Sequence, residues 1–378
     1  MKIPLFEIYW EEDDIDNIKE VISSGMKWAC GDKIEEFEKR IADYLGSEYC
    51  LVFNSGGTAL HSLMNAYGFG PDDEIIVPSF TFIATAYAPI YVGAKPVFAD
   101  IEKETFGLDP VDVEKKITPR TKALLPIHYG GMPCKIDELK KIAEDNDLIL
   151  IEDAAESFGA KLDGELIGTF GDSSVFSFCQ NKIFTTGEGG CVVTDNKKLY
   201  EKLKLIRSYG RVVDGEYFTN LENLDYKEIG HNYRLSTIQA ALGISQINKV
   251  DKIIKLRKQK ADYLNEGLKH IENLKLPIPP DERFDPVYQM YTIRVLDGKE
   301  KRDGLMTYLE KEGITTRIYF DPLHKYTIFK NLLEYDIDLH ITEELSEQVL
   351  TLPLYPSISD EELDYIIRKV KTYFEKRG

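Results

Sequence analysis

A few short stretches of this 378-residue chain place reactive side chains beside glycine-rich or strand-like sequence. The sharpest is FSFCQNKIFTTGEGG (176–190), in which Lys182 follows an apolar run and precedes a glycine turn. A lysine held in a cleft loses its proton more readily than one in water, and the free amine can condense with a carbonyl to give a Schiff base. Most lysines are surface residues, so the position alone does not decide. Ser177, five residues earlier, carries a hydroxyl that could reach an anion near the same loop. In LILIEDAAESFGA (148–160) an apolar strand ends in Asp153, at the edge where open α/β sheets hold their ligands. A carboxylate there can keep a ring nitrogen protonated, although a strand-end Asp is also a common helix cap.

Three further stretches supply complementary groups. FNSGGTALH (53–61) lies between a strand-like and a helix-like run, with Gly57 and Thr58 placed to offer N–H groups to a phosphate; an ordinary β–α turn has the same look. PSFTFIATA (78–86) offers Phe82, which can stack on a flat ring or fill a core. IGHNYRLSTIQAALG (229–243) sets Asn232 before a helical run, a usual place for a turn asparagine. The run GEGG (187–190) is followed by strand-like CVVT rather than a helix, which excludes a dinucleotide loop. Each stretch is ambiguous alone. Together they hold a lysine, an acid for a ring nitrogen, phosphate donors and a stacking ring, the set that pyridoxal 5'-phosphate (PLP) chemistry needs.

The elements that must position these groups are legible as a rhythm. YCLVF (49–53), EIIVP (74–78), KPVFAD (95–100), KALLPIH (122–128), DLILIED (147–153), SSVFSF (173–178) and GGCVVTD (189–195) are apolar without polar alternation, as strands covered on both faces are. Helix-spaced residues such as Ile34, Phe37, Ile41 and Leu45, and helical runs from Thr58, Phe82, DPVDVEKKI and KIDELKKIAED (135–145), intervene. Such alternation predicts an α/β fold, with a mostly parallel sheet and flanking helices in a large domain. Residues 209–230 read as a loop. A single long helix is expected from Leu235 to about Lys269, then a smaller C-terminal α+β domain with PVYQMYTIRV and GITTRIYF as its strands. The expected division is 1–250 and 251–378.

Bulk properties narrow the classes of partner. Lys plus Arg is 47 and Asp plus Glu is 65, a net charge of −18, which repels nucleic acid and anionic membranes while leaving a local nest free to hold one phosphate. The N-terminus turns acidic within a few residues and lacks an apolar signal segment, no run is long enough to span a bilayer, and the five cysteines form no CxxC pair, so a cytoplasmic protein with reduced thiols and no metal site is expected.

The order of these motifs resembles the DegT-type sugar aminotransferases, fold-type-I PLP enzymes, over nearly the whole chain. The resemblance runs from IPLF and SSGMKWACGDKIEEFE, which matches an SG-W-x-x-G pattern, through EDAAES, SFxxNK and TTGEGG, to TTRIYFDPLH and LPLYPSISDEELDYII. It implies that Lys182 forms the Schiff base, that Asp153 pairs with the pyridine nitrogen, and that Glu156 reaches the ring hydroxyl, a place often held by Gln. It further implies that Phe82 stacks on the ring, that Gly57, Thr58 and Ser177 hold the phosphate, and that Asn232 reaches the phosphate of the other subunit in a homodimer. Two departures stand out. An extra glycine in Ser55-Gly56-Gly57-Thr58 leaves the phosphate donors open by one residue, and Cys179 stands where many members have His, which changes the pocket lining.

The resemblance implies ping-pong transamination. An amino donor, L-glutamate by analogy, converts PLP to pyridoxamine 5'-phosphate (PMP), with Lys182 moving the proton, and PMP then aminates a keto-sugar carried on a nucleotide. A 4-keto-6-deoxy sugar fits best, with Arg317 and His324 as candidate pocket residues; surface salt bridging is their plainer alternative. Three rivals share parts of the pattern. A sugar dehydratase of the same fold would carry histidine in place of Lys182. A cyclitol (inositol-ketone) aminotransferase would share these motifs. A non-catalytic PLP-binding regulator would lose the lysine or gain a DNA-binding module.

Overall fold

In the computed structural model, which describes residues 1–212, 225–332 and 337–377, the apolar runs assemble into one seven-stranded sheet. Its strands are β1 (Tyr49–Phe53), β2 (Glu74–Pro78), β3 (Lys95–Ala99), β4 (Thr121–Leu124), β5 (Ile149–Asp153), β6 (Ser173–Ser177) and β7 (Gly190–Thr194), in the order β1-β7-β6-β5-β4-β2-β3. Neighbours from β6 to β3 pair in parallel, whereas β7 runs antiparallel to both β1 and β6. Every residue of β2 and β7 is buried, so the lack of alternation in the sequence has its cause in helices covering both faces. One face packs on the helix Asp32–Leu45, through Phe37, Ile41 and Leu45, together with Ile136, Leu139 and Ile142. The other packs on the helix Gly56–Tyr67 through Leu60, Leu63 and Met64.

The topology brings the candidate residues to one edge. The C-terminal ends of β1, β2, β5 and β6 lie there, as parallel pairing dictates, and antiparallel β7 brings its first residue, Gly190, to the same edge opposite Phe53 and Ser177. Short loops then lead into the helices Gly56–Tyr67 and Ile83–Tyr91.

Two departures from the expected elements have clear causes. The expected long helix is two, Thr237–Ile247 and Val250–Leu268. They break at Asn248–Lys249, where buried Lys249 turns aside to pair with Asp13 at 2.6 Å and Asp14 at 2.9 Å. GITTRIYF forms no strand: Ile314 bridges Ile3 and Arg317 bridges Thr351, so its backbone changes partner after three residues. The small C-terminal sheet is instead β8 (Leu274–Lys275), β9 (Tyr291–Val295) and β10 (Val349–Leu352), with β9 central and both pairings antiparallel. The helix Val250–Leu268 links the units, with Ile253 and Ile254 in the core of the large sheet and Ala261, Leu264 and Leu268 in that of the small one. Of the segment 209–230 expected as a loop, residues 213–224 lie outside the described residues, and Arg211–Val212 pairs with Asp225–Tyr226 as a short antiparallel ladder. Among the described residues no helix is long and apolar enough to cross a membrane.

Candidate active site

Lys182 and Glu156 meet at the sheet edge, with Lys182 Nζ 3.3 Å from Glu156 Oε1 and both side chains mostly shielded from solvent. The other carboxylate oxygen, Oε2, accepts from the Gly130 N–H at 2.9 Å, so Glu156 is aimed by a backbone turn rather than left to swing. Asp153, at the end of β5, is 7% exposed. Its Oδ2 accepts from the Thr85 hydroxyl at 2.8 Å and its Oδ1 from the Ala155 N–H at 3.2 Å. Thr85 is itself bonded to Thr81 at 2.8 Å, and both threonines are buried. Burial pushes the Asp153 carboxyl above the ordinary aspartate range; the Thr85 hydroxyl, the Ala155 N–H and the positive charge of Lys182 pull the other way.

Phe82 occupies the N-cap of the helix that carries Thr85 and is 64% exposed, unusual for a phenylalanine. Phe82 precedes by three residues Thr85, whose hydroxyl donates to Asp153. The glycine turn lies next to it: a Cβ built on Gly57 would stand 4.0 Å from Ala84 Cβ, and one on Gly56 only 3.1 Å from Ser177 Cβ. Gly56 therefore lets the helix start settle against Ser177. Ser55, not Thr58, caps this helix, accepting from the Thr58 N–H at 3.1 Å. The Thr58 hydroxyl donates to Asn54 Oδ1 at 2.7 Å. The Thr58 N–H is thus engaged, while Gly56 and Gly57 are the first helical residues, whose N–H groups have no partner within the helix. The N–H groups at this helix start that lack an intrahelical partner therefore include those of Gly56 and Gly57, whereas that of Thr58 is used by Ser55.

Asn232 lies beside this turn in its own chain, with its carbonyl accepting from Asn54 Nδ2 at 3.4 Å and its side chain exposed. Arg317 is exposed, and its backbone bonds Thr351 in both directions. Its charge and that of Glu156 both act on the Tyr319 hydroxyl, which burial pushes upward. Cys179 is half-buried, with its sulfur 3.6 Å from Glu188 Oε1. His324 stands apart. It is buried, Nδ1 lies 2.7 Å from Ser79 Oγ and Nε2 lies 3.1 Å from Glu343 Oε1, so both ring nitrogens are engaged inside the protein. Thr81, Thr85 and Gly130 did not stand out in the sequence, because a threonine just before or just inside a helix and a YGG turn have no chemical signature until the chain is folded.

The profile of the DegT/DnrJ/EryC1/StrS aminotransferase family matches residues 9–371. The chain belongs to this family. It is 36% identical over 353 residues to the GDP-perosamine synthase of Caulobacter vibrioides, covering 93% of each chain. Its fold superposes on Helicobacter pylori PseC, an aminotransferase of pseudoaminic acid biosynthesis, with a TM-score of 0.94 and 28% identity over the full length of both. It superposes on the putative sugar aminotransferase Spr1654 of Streptococcus pneumoniae in its PMP-form with a TM-score of 0.93 and 28% identity, covering 99% of this chain and 100% of that one. The protein is a fold-type-I, PLP-dependent transaminase, and the donor set agrees on its own chemistry: an amine paired with a carboxylate, a buried carboxylate held by hydroxyl and N–H donors, a helix start opened by two glycines, and an exposed aromatic face.

Proposed function

We propose that the protein aminates a nucleotide-linked keto-sugar, a 4-keto-6-deoxy sugar fitting best, with L-glutamate as amino donor, in the cytoplasm. The observation that carries the chemistry is the juxtaposition of Lys182 and Glu156 with the buried Asp153 at a single sheet edge. The sugar reading is supported by the relatives, among them a GDP-perosamine synthase aligned over nearly its whole length.

In this reading Lys182 would hold PLP, with Asp153 for the ring nitrogen, Glu156 for the ring hydroxyl and Phe82 for the ring face, while Gly56, Gly57, Thr58 and Ser177 would hold the phosphate. When bound, PLP supplies an electron sink that allows a proton to leave the donor's α-carbon. The chain's residues do the rest. Asp153, whose ionised form Thr85 and Ala155 favour against the effect of burial, would hold the ring nitrogen positive. Lys182, the amine nearest this chemistry, would accept the proton that leaves the donor's α-carbon. Glu156, fixed by Gly130, keeps that amine from drifting. Arg317 would offer its charge to an anionic group of either substrate, whereas His324, with both ring nitrogens tied to Ser79 and Glu343, would act as a support rather than a substrate ligand.

The working unit in this proposal is a homodimer with shared sites, Asn232 reaching the phosphate of the neighbour. Met26, Trp28, Tyr226 and Ile229 are exposed on the single chain, Ile229 at 82%. That much uncovered apolar surface suits a protein interface. The division of the chain near residue 250 is part of the same proposal. Incubating the PMP form with a panel of nucleotide keto-sugars and reading the products by mass tests the assignment: a mass shift of the ketone-to-amine exchange on a 4-keto-6-deoxy sugar is expected. Amination of cyclitol ketones alone would overturn it.

A further inference from the structure

We infer that Gln289 is a positioning residue for Lys182: the segment Val287–Met290 braces the lysine loop from the small C-terminal unit, and the Gln289 side chain makes the contact. The inference rests on Lys182 being the amine that carries the cofactor.

The backbone of this segment is held on two sides. Toward the large sheet, the Val287 N–H donates to Gly131 O and the Met290 N–H to Gly130 O, each at 3.0 Å. The approach is possible only because residue 131 is glycine. Its φ is +86°, and a Cβ there would stand 2.7 Å from Val287 Cγ2 and 2.8 Å from the Gln289 nitrogen. On the other side the buried Arg257 donates Nε to Tyr288 O at 2.9 Å and Nη2 to Gln289 O at 2.7 Å, and also reaches Leu354 O at 3.2 Å. A guanidinium presents its donors in a fixed fork, so these bonds set the path of the chain and not merely its distance.

From that fixed backbone Gln289 Nε2 donates to the carbonyl of Asn181, the residue immediately before Lys182. The same brace holds Gly130, whose N–H aims Glu156 at Lys182 Nζ. Both members of the Lys182–Glu156 pair are therefore referred back to one four-residue segment of the small unit. The chemistry of Gln289 shows which of its atoms matters. The side chain is 6% exposed, and its Oε1 is buried with no hydrogen-bond partner among the described residues. An orphaned buried acceptor costs free energy that an apolar residue of the same length would avoid. A residue present only to fill space would be better as methionine; glutamine adds the N–H donor that reaches Asn181.

The test uses two variants of the full-length protein. Gln289→Met keeps length and loses the donor; Gln289→Glu keeps shape and replaces the donor by an acceptor. Three quantities are read: melting temperature, the rate at which apoprotein takes up PLP to a form that borohydride fixes on Lys182, and kcat separately from KM. The expected result is that both variants fold, with Gln289→Met melting within a few degrees of wild type, while the labelling rate and kcat fall by about 10- to 100-fold and KM changes by less than about 2-fold. Labelling and kcat within about 2-fold of wild type in either variant overturns the inference, as does a loss that follows only the folded fraction. If the Met variant does not fold, the Glu variant decides by the same criteria. Labelling needs no sugar substrate, so it reads the brace independently of which ketone is aminated. A wild-type protein labelled at a lysine other than Lys182 would refute the underlying assignment instead.

Discussion

Thr85→Val removes one hydroxyl and leaves the shape of the helix start intact, which makes it a clean probe of Asp153. In the folded chain Thr85 Oγ1 donates to Asp153 Oδ2 at 2.8 Å and is approached by the Thr81 hydroxyl at 2.8 Å. After the change Asp153 keeps only the Ala155 N–H, at 3.2 Å. A hydrogen bond to a charged acceptor is worth about 1.5–3 kcal/mol, and this one favours the ionised carboxylate against burial, which favours the neutral acid. Losing it raises the Asp153 pKa further. Since the carboxylate acts ionised, the acid limb of the kcat profile moves to higher pH, and kcat on the plateau falls by about 10- to 100-fold if the whole bond energy is expressed in the transition state. Thr85→Ser retains the donor and restores both. The assay is single-turnover conversion of the donor amino acid across pH, with melting temperature as a control for Thr81, which loses its partner. A valine variant within about 2-fold of wild type with an unmoved acid limb would refute the reasoning, as would a serine variant impaired as much as valine.

Three further outcomes follow. Asp153→Asn should cost about 100-fold or more in kcat and yet stabilise the apoprotein at neutral pH: a carboxyl whose folded pKa lies above its ordinary 3.8 binds its proton more tightly when folded, so wild-type stability falls as pH rises from about 3.8 through the raised value, and the melting advantage of the Asn variant should vanish at lower pH. Lys182→Ala should abolish turnover and borohydride fixation; fixation on any other lysine would contradict the assignment. Mixing Lys182→Ala chains with Asn232→Ala chains, each nearly inactive alone, should return about a quarter of wild-type activity if Asn232 serves the neighbouring subunit, since half the dimers are mixed and each has one intact site; no recovery would place Asn232 in its own site.

What was legible in the sequence was whatever local chemistry determines. Strands buried on both faces write themselves as unbroken apolar runs, so all seven strands of the large sheet appear at nearly their observed positions, and Asp153 and Lys182 stand out because each sits at a strand end beside a distinctive motif. What was not legible depends on residues distant in the chain. Thr85 meets Asp153 across 68 positions, and nothing in IATA distinguishes it from a threonine in any helix. Gln289 reaches Asn181 across 108. The β-branched run GITTRIYF has strand composition, yet composition does not say that its pairing partner changes from Ile3 to Thr351. Lys249 interrupts the expected long helix because two aspartates near the N-terminus hold it, a contact that no periodicity announces. His324 has the look of a loop residue near a pocket; its burial follows from Ser79 and Glu343 closing on it from the large and small parts of the chain.

The same edge of the large sheet also concentrates the features that a fold selected for stability alone would avoid. Asp153 is a carboxylate placed where burial disfavours its charge. Phe82 spreads an aromatic ring into solvent. Gln289 keeps an unpartnered acceptor in the interior, and Gly131 spends a left-handed backbone position to let the small unit approach. Each is individually unfavourable, and although unpartnered or exposed groups also occur elsewhere in the described chain, Ser62, Tyr355 and Ile229 among them, these four gather about one sheet edge. Departures that cluster at one place and share one chemical purpose argue for a site more strongly than any one of them does. A positively charged cofactor ring would relieve the first two together, by pairing with Asp153 and covering Phe82, whereas the last two set the position of the lysine that must both hold that ring and release it. The costs therefore divide by role: those borne at Asp153 and Phe82 are relieved on loading, and those borne at Gln289 and Gly131 persist, so cofactor binding should raise the stability of the protein without reducing its dependence on the brace.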